Sequence, residues 1–113
     1  VYLHTPLTHY EGEVVLTFSV PSAGKYTIWG RVWGYDWGSD SFWASMDGGA
    51  EALWSIPQST WQWDRISNRT DSGTAPVTYD LAAGAHRLRI RTREHGSRLD
   101  VVVITNDGGY VPD

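Results

Sequence analysis

The residues best suited to chemistry lie in a short segment rich in aromatic and acidic side chains. Residues 34–40 read Gly-Tyr-Asp-Trp-Gly-Ser-Asp, which places Tyr35 and Trp37 beside Asp36 and Asp40. A loop usually lies in water, so aromatic rings are not expected there by default. A sugar ring packs its C–H face on an aromatic ring, while its hydroxyl groups need polar partners. The segment therefore predicts a sugar-binding surface, although both rings could instead fold under the loop as a small satellite core.

A second aromatic pair lies in residues 61–66, which read Trp-Gln-Trp-Asp-Arg-Ile. Strand alternation puts Trp61 and Trp63 on one face, so their rings are expected to stand side by side. By contrast, Trp29 and Trp43 are predicted to be packing residues rather than ligand-binding residues.

The segment 86–93 is strongly basic. Its alternating arginines are expected on one face of a strand: Arg87, Arg89, Arg91 and Arg93. They could form a solvated outer face that also blocks edge-to-edge aggregation. Alternatively, they could form a cationic stripe for an acidic polymer such as a uronic-acid polysaccharide, with Trp29 and Trp33 of an adjoining strand under the guanidinium groups.

The elements that must position these residues are all predicted to be strands. A short edge strand is expected within residues 1–13, and further strands are expected over 14–20, 26–33, 41–47, 61–66, 77–81, 86–93 and 99–105. Residues 52–56 form a short apolar piece. The strand 26–33 carries bulky residues on both faces and is predicted to be central. Residues 67–76 are predicted to be a polar loop, and Gly48-Gly49 are expected to supply the positive φ of a tight turn. Seven or eight short strands without helical periodicity predict an all-β fold, an antiparallel β-sandwich.

Composition limits the function further. A chain of 113 residues is the size of one domain, and seven Trp, six Tyr and two Phe exceed what one core needs. A net charge of −4 argues against a nucleic-acid partner. The absence of Cys excludes disulfides and thiolate metal sites. No apolar run in the sequence is long enough to span a membrane. The chain opens on strand-like residues, so we expect it to begin inside or just after the first strand of a natural domain.

Four motifs in the chain resemble a known family: VPSAGKYTIWGRV at 20–32, DSFW at 40–43 with DGG at 47–49, LAAGAH at 81–86 and REHGSRLD at 93–100. Together they resemble the galactose-binding-like β-sandwich modules, and most of all the carbohydrate-binding modules of families 6 and 35. The resemblance covers residues 14–113. It implies a jelly-roll fold for a single module over residues 1–113, lectin-like sugar binding, secretion to the extracellular space and covalent attachment to a polysaccharide-degrading enzyme.

The resemblance also implies where a ligand would bind, namely on loops at one end of the sandwich. The residues that match by position are Tyr35, Trp37, Asp40, Trp61, Trp63, Glu94, His95 and Arg98. In such modules a calcium-binding Asp often lies near the start of the last strand, which implies a structural calcium ion at Asp100. Calcium needs six to eight oxygen ligands, and a buried Asp that caps a turn is the alternative.

Catalysis and protein interaction are the two alternatives to sugar binding. Asp40 and Glu94 could act as the acid and base of a glycosidase, but a few loops on so short a chain can scarcely enclose a distorted sugar. We therefore predict a monomeric, non-catalytic module that binds a polysaccharide or oligosaccharide. The alternative is a structural or protein-interaction sandwich that packs on a neighbouring catalytic domain. The acidic residues near the proposed site favour a neutral sugar, whereas Arg98 and the basic strand favour an acidic one.

Overall fold

The computed structural model describes residues 2–6, 12–34, 41–57, 60–93 and 97–112. The described part contains eleven strands and no helix. The strands are β1 Tyr2–Pro6, β2 Glu13–Val20, β3 Gly24–Trp33, β4 Ser41–Met46, β5 Ala52–Ser55, β6 Gln62–Arg65, β7 Ser67–Thr70, β8 Gly73–Pro76, β9 Tyr79–Leu81, β10 Gly84–Thr92 and β11 Arg98–Thr105. No helix long and apolar enough to cross a membrane occurs within those ranges.

The strands form two main antiparallel sheets. Sheet A has the order β1-β11-β3-β6, and β9 also pairs with the beginning of β3. Sheet B has the order β2-β10-β4-β5, and β7 and β8 form a separate hairpin. The predicted antiparallel β-sandwich is therefore confirmed. The predicted edge strand is β1, and β3 is central, as its bulky side chains on both faces suggest.

Alternation along β3 separates the core from the outer surface. Tyr26, Ile28 and Val32 point inward and are at most 1% exposed. On β2, alternate residues pack against the same core, as the sequence pattern predicts: Val14, Leu16, Phe18 and Val20. Period-two alternation therefore identifies the inner face of both strands correctly.

A buried indole joins the two sheets. Trp54 on β5 is fully buried, and its ring faces Gly30 on β3. A Cβ added at Gly30 would lie 2.5 Å from a carbon of the Trp54 ring and 2.8 Å from a methyl carbon of Leu99. The Trp54 Nε1–H donates a hydrogen bond of 2.7 Å to the Asp64 carboxylate on β6. Burial raises the pKa of Asp64 to about 6, although this hydrogen bond opposes the rise.

The β4–β5 connection contains the expected tight turn, but with different residues in the left-handed conformation. Asp47 has φ of 53° and Gly48 has φ of 75°, and the Gly49 N–H donates to the Met46 carbonyl at 2.9 Å. The prediction placed the positive φ values at Gly48 and Gly49, so it was wrong by one residue. An Asp-Gly pair suits a turn in which both central residues need positive φ.

Hydrogen bonds from β10 fix this turn. The Asp47 carboxylate accepts from the Arg87 backbone N–H at 2.8 Å and lies 2.6 Å from the His86 Nδ1. The His86 Nε2 lies 2.7 Å from the Ala82 carbonyl oxygen. Because both partners only accept hydrogen bonds, an imidazolium, which donates from both ring nitrogens, fits this arrangement best. The Ala82 carbonyl and then Asp47 raise the pKa of His86 above its usual value.

The segment predicted to be a polar loop, residues 67–76, is instead the β7–β8 hairpin. Neither strand has apolar alternation, because β8 is fully exposed and β7 is buried only in part. Asn68 attaches the hairpin to β5, since its Oδ1 accepts a hydrogen bond of 3.0 Å from the Leu53 N–H. The prediction missed β7 and β8 because backbone hydrogen bonds hold these strands together, and such bonds leave no hydrophobic pattern in the sequence.

We expect Gly30→Ala to destabilise the fold by about 1–3 kcal/mol, because the added methyl group would overlap the Trp54 ring in a packed core. Gly24→Ala is the matched control, since Gly24 lies on the same strand and a Cβ added there would have no atom within 4 Å. Urea unfolding of both variants measures the difference. Equal stability of the two variants would contradict the close approach of Trp54 to β3.

Asp64 is expected to make the free energy of unfolding depend on pH. Its pKa of about 6 in the folded state exceeds the ordinary value of 3.8, so the folded state binds this proton more tightly than the unfolded state. Its contribution to the free energy of unfolding therefore falls as pH rises from 3.8 to about 6.

Asp64→Asn should remove this contribution, because an amide keeps an acceptor for Trp54 but does not ionise. Denaturation of both proteins across that pH range measures the effect, and the variant should gain stability relative to the wild type as pH rises. Asp80→Asn, at an exposed residue paired with Lys25, serves as a control. The interpretation fails if the stability difference between the Asp64 variant and the wild type is independent of pH.

Candidate functional site

Three connections between strands begin and end close together at one end of the sandwich. The Gly34 N–H, at the end of β3, donates to the Pro57 carbonyl after β5 at 3.1 Å. The Ser41 N–H, at the start of β4, donates to the Ser97 hydroxyl before β11 at 3.0 Å. The Arg93 N–H, after β10, donates to the Ser41 carbonyl at 3.3 Å. These hydrogen bonds join the ends of the connections that were predicted to carry the ligand site.

Five of the predicted ligand-binding residues lie in those connections and outside the described residues: Tyr35, Trp37, Asp40, Glu94 and His95. Their part in a site stays a prediction. The structure describes the other three, Trp61, Trp63 and Arg98, together with Asp100.

The outer face of sheet A carries alternating Trp and Arg side chains on two adjacent strands. In the register of β3 with β6, Arg31 lies opposite Trp63 and Trp29 lies opposite Arg65. These side chains point outward because the alternate residues on β3 belong to the core. With the Trp33–Trp61 pair at the loop end, they form a surface that we call the Trp/Arg ladder. Its members are all half-buried: Trp29, Arg31, Trp33, Trp61, Trp63 and Arg65.

The loop end of the ladder is an aromatic pair flanked by two cations. The rings of Trp33 and Trp61 meet edge to face, with centroids 5.8 Å apart and an angle of 85° between their planes. The Arg31 guanidinium carbon lies 5.2 Å from the Trp61 ring centroid. The Arg98 guanidinium carbon, on β11, lies 5.6 Å from the Trp33 ring centroid. Both distances allow cation–π attraction, which holds the rings and the cations in place.

Asp100 contributes a carboxylate beside the ladder. The pairing of β11 with β3 shifts register between Leu99 and Val101, so Asp100 lies at an irregularity that can redirect its side chain. Its Oδ2 accepts a hydrogen bond of 2.6 Å from Arg31. Its Oδ1 is enclosed and has no hydrogen-bond partner among the described residues.

The surroundings of Asp100 do not match a calcium site. One carboxyl oxygen binds the Arg31 guanidinium, and the described residues contain no group of three or more His, Asp or Glu side chains that could hold a metal ion. Calcium needs six to eight oxygen ligands. The described residues therefore do not fit this ion, and calcium binding stays a prediction.

The basic strand β10 does not lie next to Trp29 and Trp33. It pairs with β2 and β4 in sheet B, so the predicted stacking of its arginines on the Trp residues of β3 is wrong. The ring under these arginines is Trp43 of β4, with its centroid 5.5 Å from the guanidinium carbon of Arg91 and 5.9 Å from that of Arg93. Alternation correctly predicts which residues share a face, but it does not predict which strands are neighbours.

Two arginines of β10 are bound to carboxylates. Arg89 holds Glu13 through two hydrogen bonds of 2.6 and 3.0 Å. Arg91 holds Glu51 through two of 2.6 Å. These bonds lower the pKa of both Glu side chains. Two of the four arginines in segment 86–93 are therefore neutralised by carboxylates, which favours the prediction of a solvated outer face for this strand.

Reasoning from the sequence missed Arg31 as a site residue and included Trp33 only in the alternative surface with the arginines of 86–93. The signal was present, because β3 reads Trp-Gly-Arg-Val-Trp and residues 61–65 read Trp-Gln-Trp-Asp-Arg. Each strand places three such residues on one face, and the pairing of β3 with β6 joins the two rows. The alternative surface placed Trp29 and Trp33 beside the arginines of β10 instead.

Comparisons with known proteins add evidence on the fold. No protein-family model matches the sequence, and no curated protein sequence matches it.

Solved structures do match. The family 35 carbohydrate-binding module of Cellvibrio japonicus Abf62 has a TM-score of 0.61 and 18% identity, over 86% of this chain and 67% of that chain. A family 6 module of the Cellvibrio mixtus lichenase 5A, solved with cellotriose, has a TM-score of 0.56 and 22% identity, over 94% of this chain and 87% of that one.

A third match is part of a larger enzyme. The Podospora anserina GH26-CBM35 β-(1,4)-mannanase has a TM-score of 0.64 and 15% identity, and the match covers 99% of this chain but 27% of the mannanase. The chain thus spans about a quarter of that enzyme. All three identities are low, so the likeness concerns the fold. The chain therefore has the β-sandwich fold of these carbohydrate-binding modules of families 35 and 6.

Proposed function

We propose that the chain is a non-catalytic module that binds a polysaccharide at the loop end of sheet A. The observation that carries the proposal is the edge-to-face pair of Trp33 and Trp61, with Arg31 and Arg98 over their rings. Half-buried indoles in fixed positions offer flat apolar surfaces for sugar rings. The guanidinium groups offer hydrogen-bond donors for the hydroxyl groups of a sugar.

The expected affinity follows from the small size of this surface. Two or three rings contribute roughly 1–3 kcal/mol each when a ligand covers them. Part of that gain is lost in ordering the ligand and the protein side chains. Dissociation constants from about micromolar to millimolar follow.

The three connections would complete the site. The residues at their ends are joined by hydrogen bonds from Gly34, Ser41 and Arg93, which supports a common position for the segments between them. Tyr35 and Trp37 would extend the aromatic surface, and Asp40, Glu94 and His95 would bind hydroxyl groups. Trp63, opposite Arg31, would continue the site along the sheet.

The described carboxyl groups near the ladder are not placed for acid–base catalysis. Asp64 has a raised pKa, but it lies on the inner side of β6 and binds the Trp54 indole. Asp100 is paired with Arg31. A raised pKa marks a catalytic candidate only where the group faces a cleft. We therefore propose binding without hydrolysis.

The proposal extends to the setting of the module. A neighbouring structure combines a family 35 module with a mannanase in one chain, which supports an attached catalytic domain here as well. Binding to an insoluble polymer would then keep that enzyme at its substrate. Secretion and a monomeric state belong to the same proposal.

Trp61→Ala should weaken binding to the preferred polysaccharide by about tenfold or more, because it removes a ring worth roughly 1–3 kcal/mol from the surface. Affinity electrophoresis in gels that contain single polysaccharides measures this loss. Trp43→Ala is the matched control, since it removes a half-buried indole from the opposite sheet.

Loss of binding in the Trp43 variant alone would move the site to sheet B. Full binding by Trp61→Ala and Trp33→Ala would rule out the ladder as the site. Release of reducing ends from any polysaccharide in the same panel would contradict the non-catalytic assignment.

A further inference from the structure

We propose that His86 is a pH-sensitive clamp that joins the two sheets at the end of the sandwich opposite the candidate site. The protonated ring holds the β9–β10 connection and the β4–β5 turn at the same time. When the ring loses a proton, one of these two links is lost and that end of the sandwich loosens. The clamp is independent of the proposed sugar-binding function, because it lies at the other end of β4 and β10.

The His86 ring lies on the inner face of sheet B, at the margin of the core. Leu88 and Ile90, at the next alternate positions of β10, are buried in the core, so alternation turns His86 the same way. The His86 side chain is 11% exposed, and its ring centroid lies 5.9 Å from that of Phe18 on β2. The ring is therefore shielded from most of the solvent, and its hydrogen-bond partners come from the protein.

The two ring nitrogens of His86 contact oxygens that belong to different sheets. Nδ1 lies 2.6 Å from the carboxylate of Asp47, in the turn that follows β4 of sheet B. Nε2 lies 2.7 Å from the carbonyl oxygen of Ala82, which directly follows β9. Because β9 pairs with the beginning of β3 in sheet A, one side chain ties a strand end of sheet A to a turn of sheet B.

Both oxygens can only accept a hydrogen bond, so the arrangement depends on the protonation of the ring. An imidazolium donates from both nitrogens, whereas a neutral imidazole donates from one and accepts at the other. With a neutral ring, one of the contacts of 2.6 and 2.7 Å would bring two acceptors together. That contact must open, so the loss of one proton removes one of the two links.

The link to Ala82 is the one that we expect to open. The Arg87 backbone N–H and then His86 lower the pKa of Asp47, so Asp47 stays a carboxylate while the ring titrates. A charged acceptor binds an N–H more strongly than a neutral carbonyl does. The neutral ring should therefore keep its proton on Nδ1, toward Asp47, and release the Ala82 carbonyl.

Asp47 is the charged side chain that faces the ring among the described residues. It acts on the pKa of His86 both through its hydrogen bond and through its charge. Phe18, the neighbour from β2, is uncharged. On the β9 side, Asp80 forms an exposed ion pair with Lys25, and neither of them shifts the pKa of His86. The two hydrogen-bond partners therefore govern the protonation of the ring.

The pH range of the switch follows from these two partners. The Ala82 carbonyl and then Asp47 raise the pKa of His86 above its ordinary value of 6.5, although burial opposes the rise. The folded state thus binds this proton more tightly than the unfolded state. The contribution of the clamp to the free energy of unfolding is complete below pH 6.5 and is lost as pH rises through the raised pKa.

The first experiment follows the ring itself. Long-range proton–nitrogen NMR spectra of the full chain, recorded from about pH 5 to about pH 9, cover the range in which a His side chain titrates. They should show His86 protonated on both nitrogens at acidic pH, a midpoint above 6.5, and a neutral ring protonated on Nδ1 at alkaline pH. The His86→Gln variant identifies the signals of this ring by their absence.

The second experiment measures what the clamp holds in place. Urea unfolding of the wild type should show an unfolding equilibrium constant that rises about tenfold for each unit by which the midpoint exceeds 6.5. Amide hydrogen exchange, corrected for its intrinsic pH dependence, should show a parallel loss of protection in β9. His86→Gln should abolish both changes, because its amide does not titrate. Asp64→Asn is the matched control, since it removes another titrating group but leaves the clamp, so both changes should persist.

Each other outcome has a definite meaning. A midpoint at or below 6.5 would overturn the clamp, because the folded state would then not hold the proton. A neutral ring protonated on Nε2 would overturn the release of Ala82. Equal pH dependence in the wild type and in His86→Gln would assign the effect to another group and overturn the clamp as well. If His86→Gln does not fold, the NMR titration of the wild type decides alone.

Discussion

The packing of the Trp54 indole on Gly30 is the contact on which both the fold and the candidate site depend. The ring comes from sheet B and occupies the space that any side chain at position 30 would need. Its Nε1–H binds Asp64, on the strand next to Gly30. Trp54 therefore contacts, on their inner side, the two strands that bear the ladder. Its ring fills the space above Gly30, and its N–H binds Asp64.

The site follows from the core through strand alternation. Gly30 lies between Trp29 and Arg31, and Asp64 lies between Trp63 and Arg65. When Trp54 fixes the inner residues of β3 and β6, it also fixes the direction of their outer neighbours. The register that places Gly30 opposite Asp64 places Arg31 opposite Trp63. A shift of one residue in the strand register would move the side chains of the ladder to the inner face. Their guanidinium groups would then be buried in the core at prohibitive cost in free energy.

Much of the fold could be predicted from the sequence, but little of the site could. Apolar alternation identifies β2 and β3 and their inner faces, because burial imposes a period of two on each strand separately. It contains no information about which strands pair across long sequence distances. Trp29 and Trp33 of β3 were therefore placed beside the arginines of β10 in the alternative surface, rather than beside β6. The β7–β8 hairpin was missed for a related reason: its strands are polar, and backbone hydrogen bonds hold them together. The loop residues Tyr35 and Trp37 were singled out by composition, which does not determine where their rings lie.

Net charge conceals how the arginines are used. On β10, Arg89 and Arg91 pair with Glu13 and Glu51, so half of the four arginines in the most basic segment are neutralised within the protein. On β6, Arg65 has no carboxylate partner within the described ranges, although the protein is acidic. The arginines of β10 and β6 therefore have different environments, because other segments supply carboxylates to Arg89 and Arg91. A carboxylate of another segment binds Arg89 and another binds Arg91, whereas among the described residues no carboxylate binds Arg65.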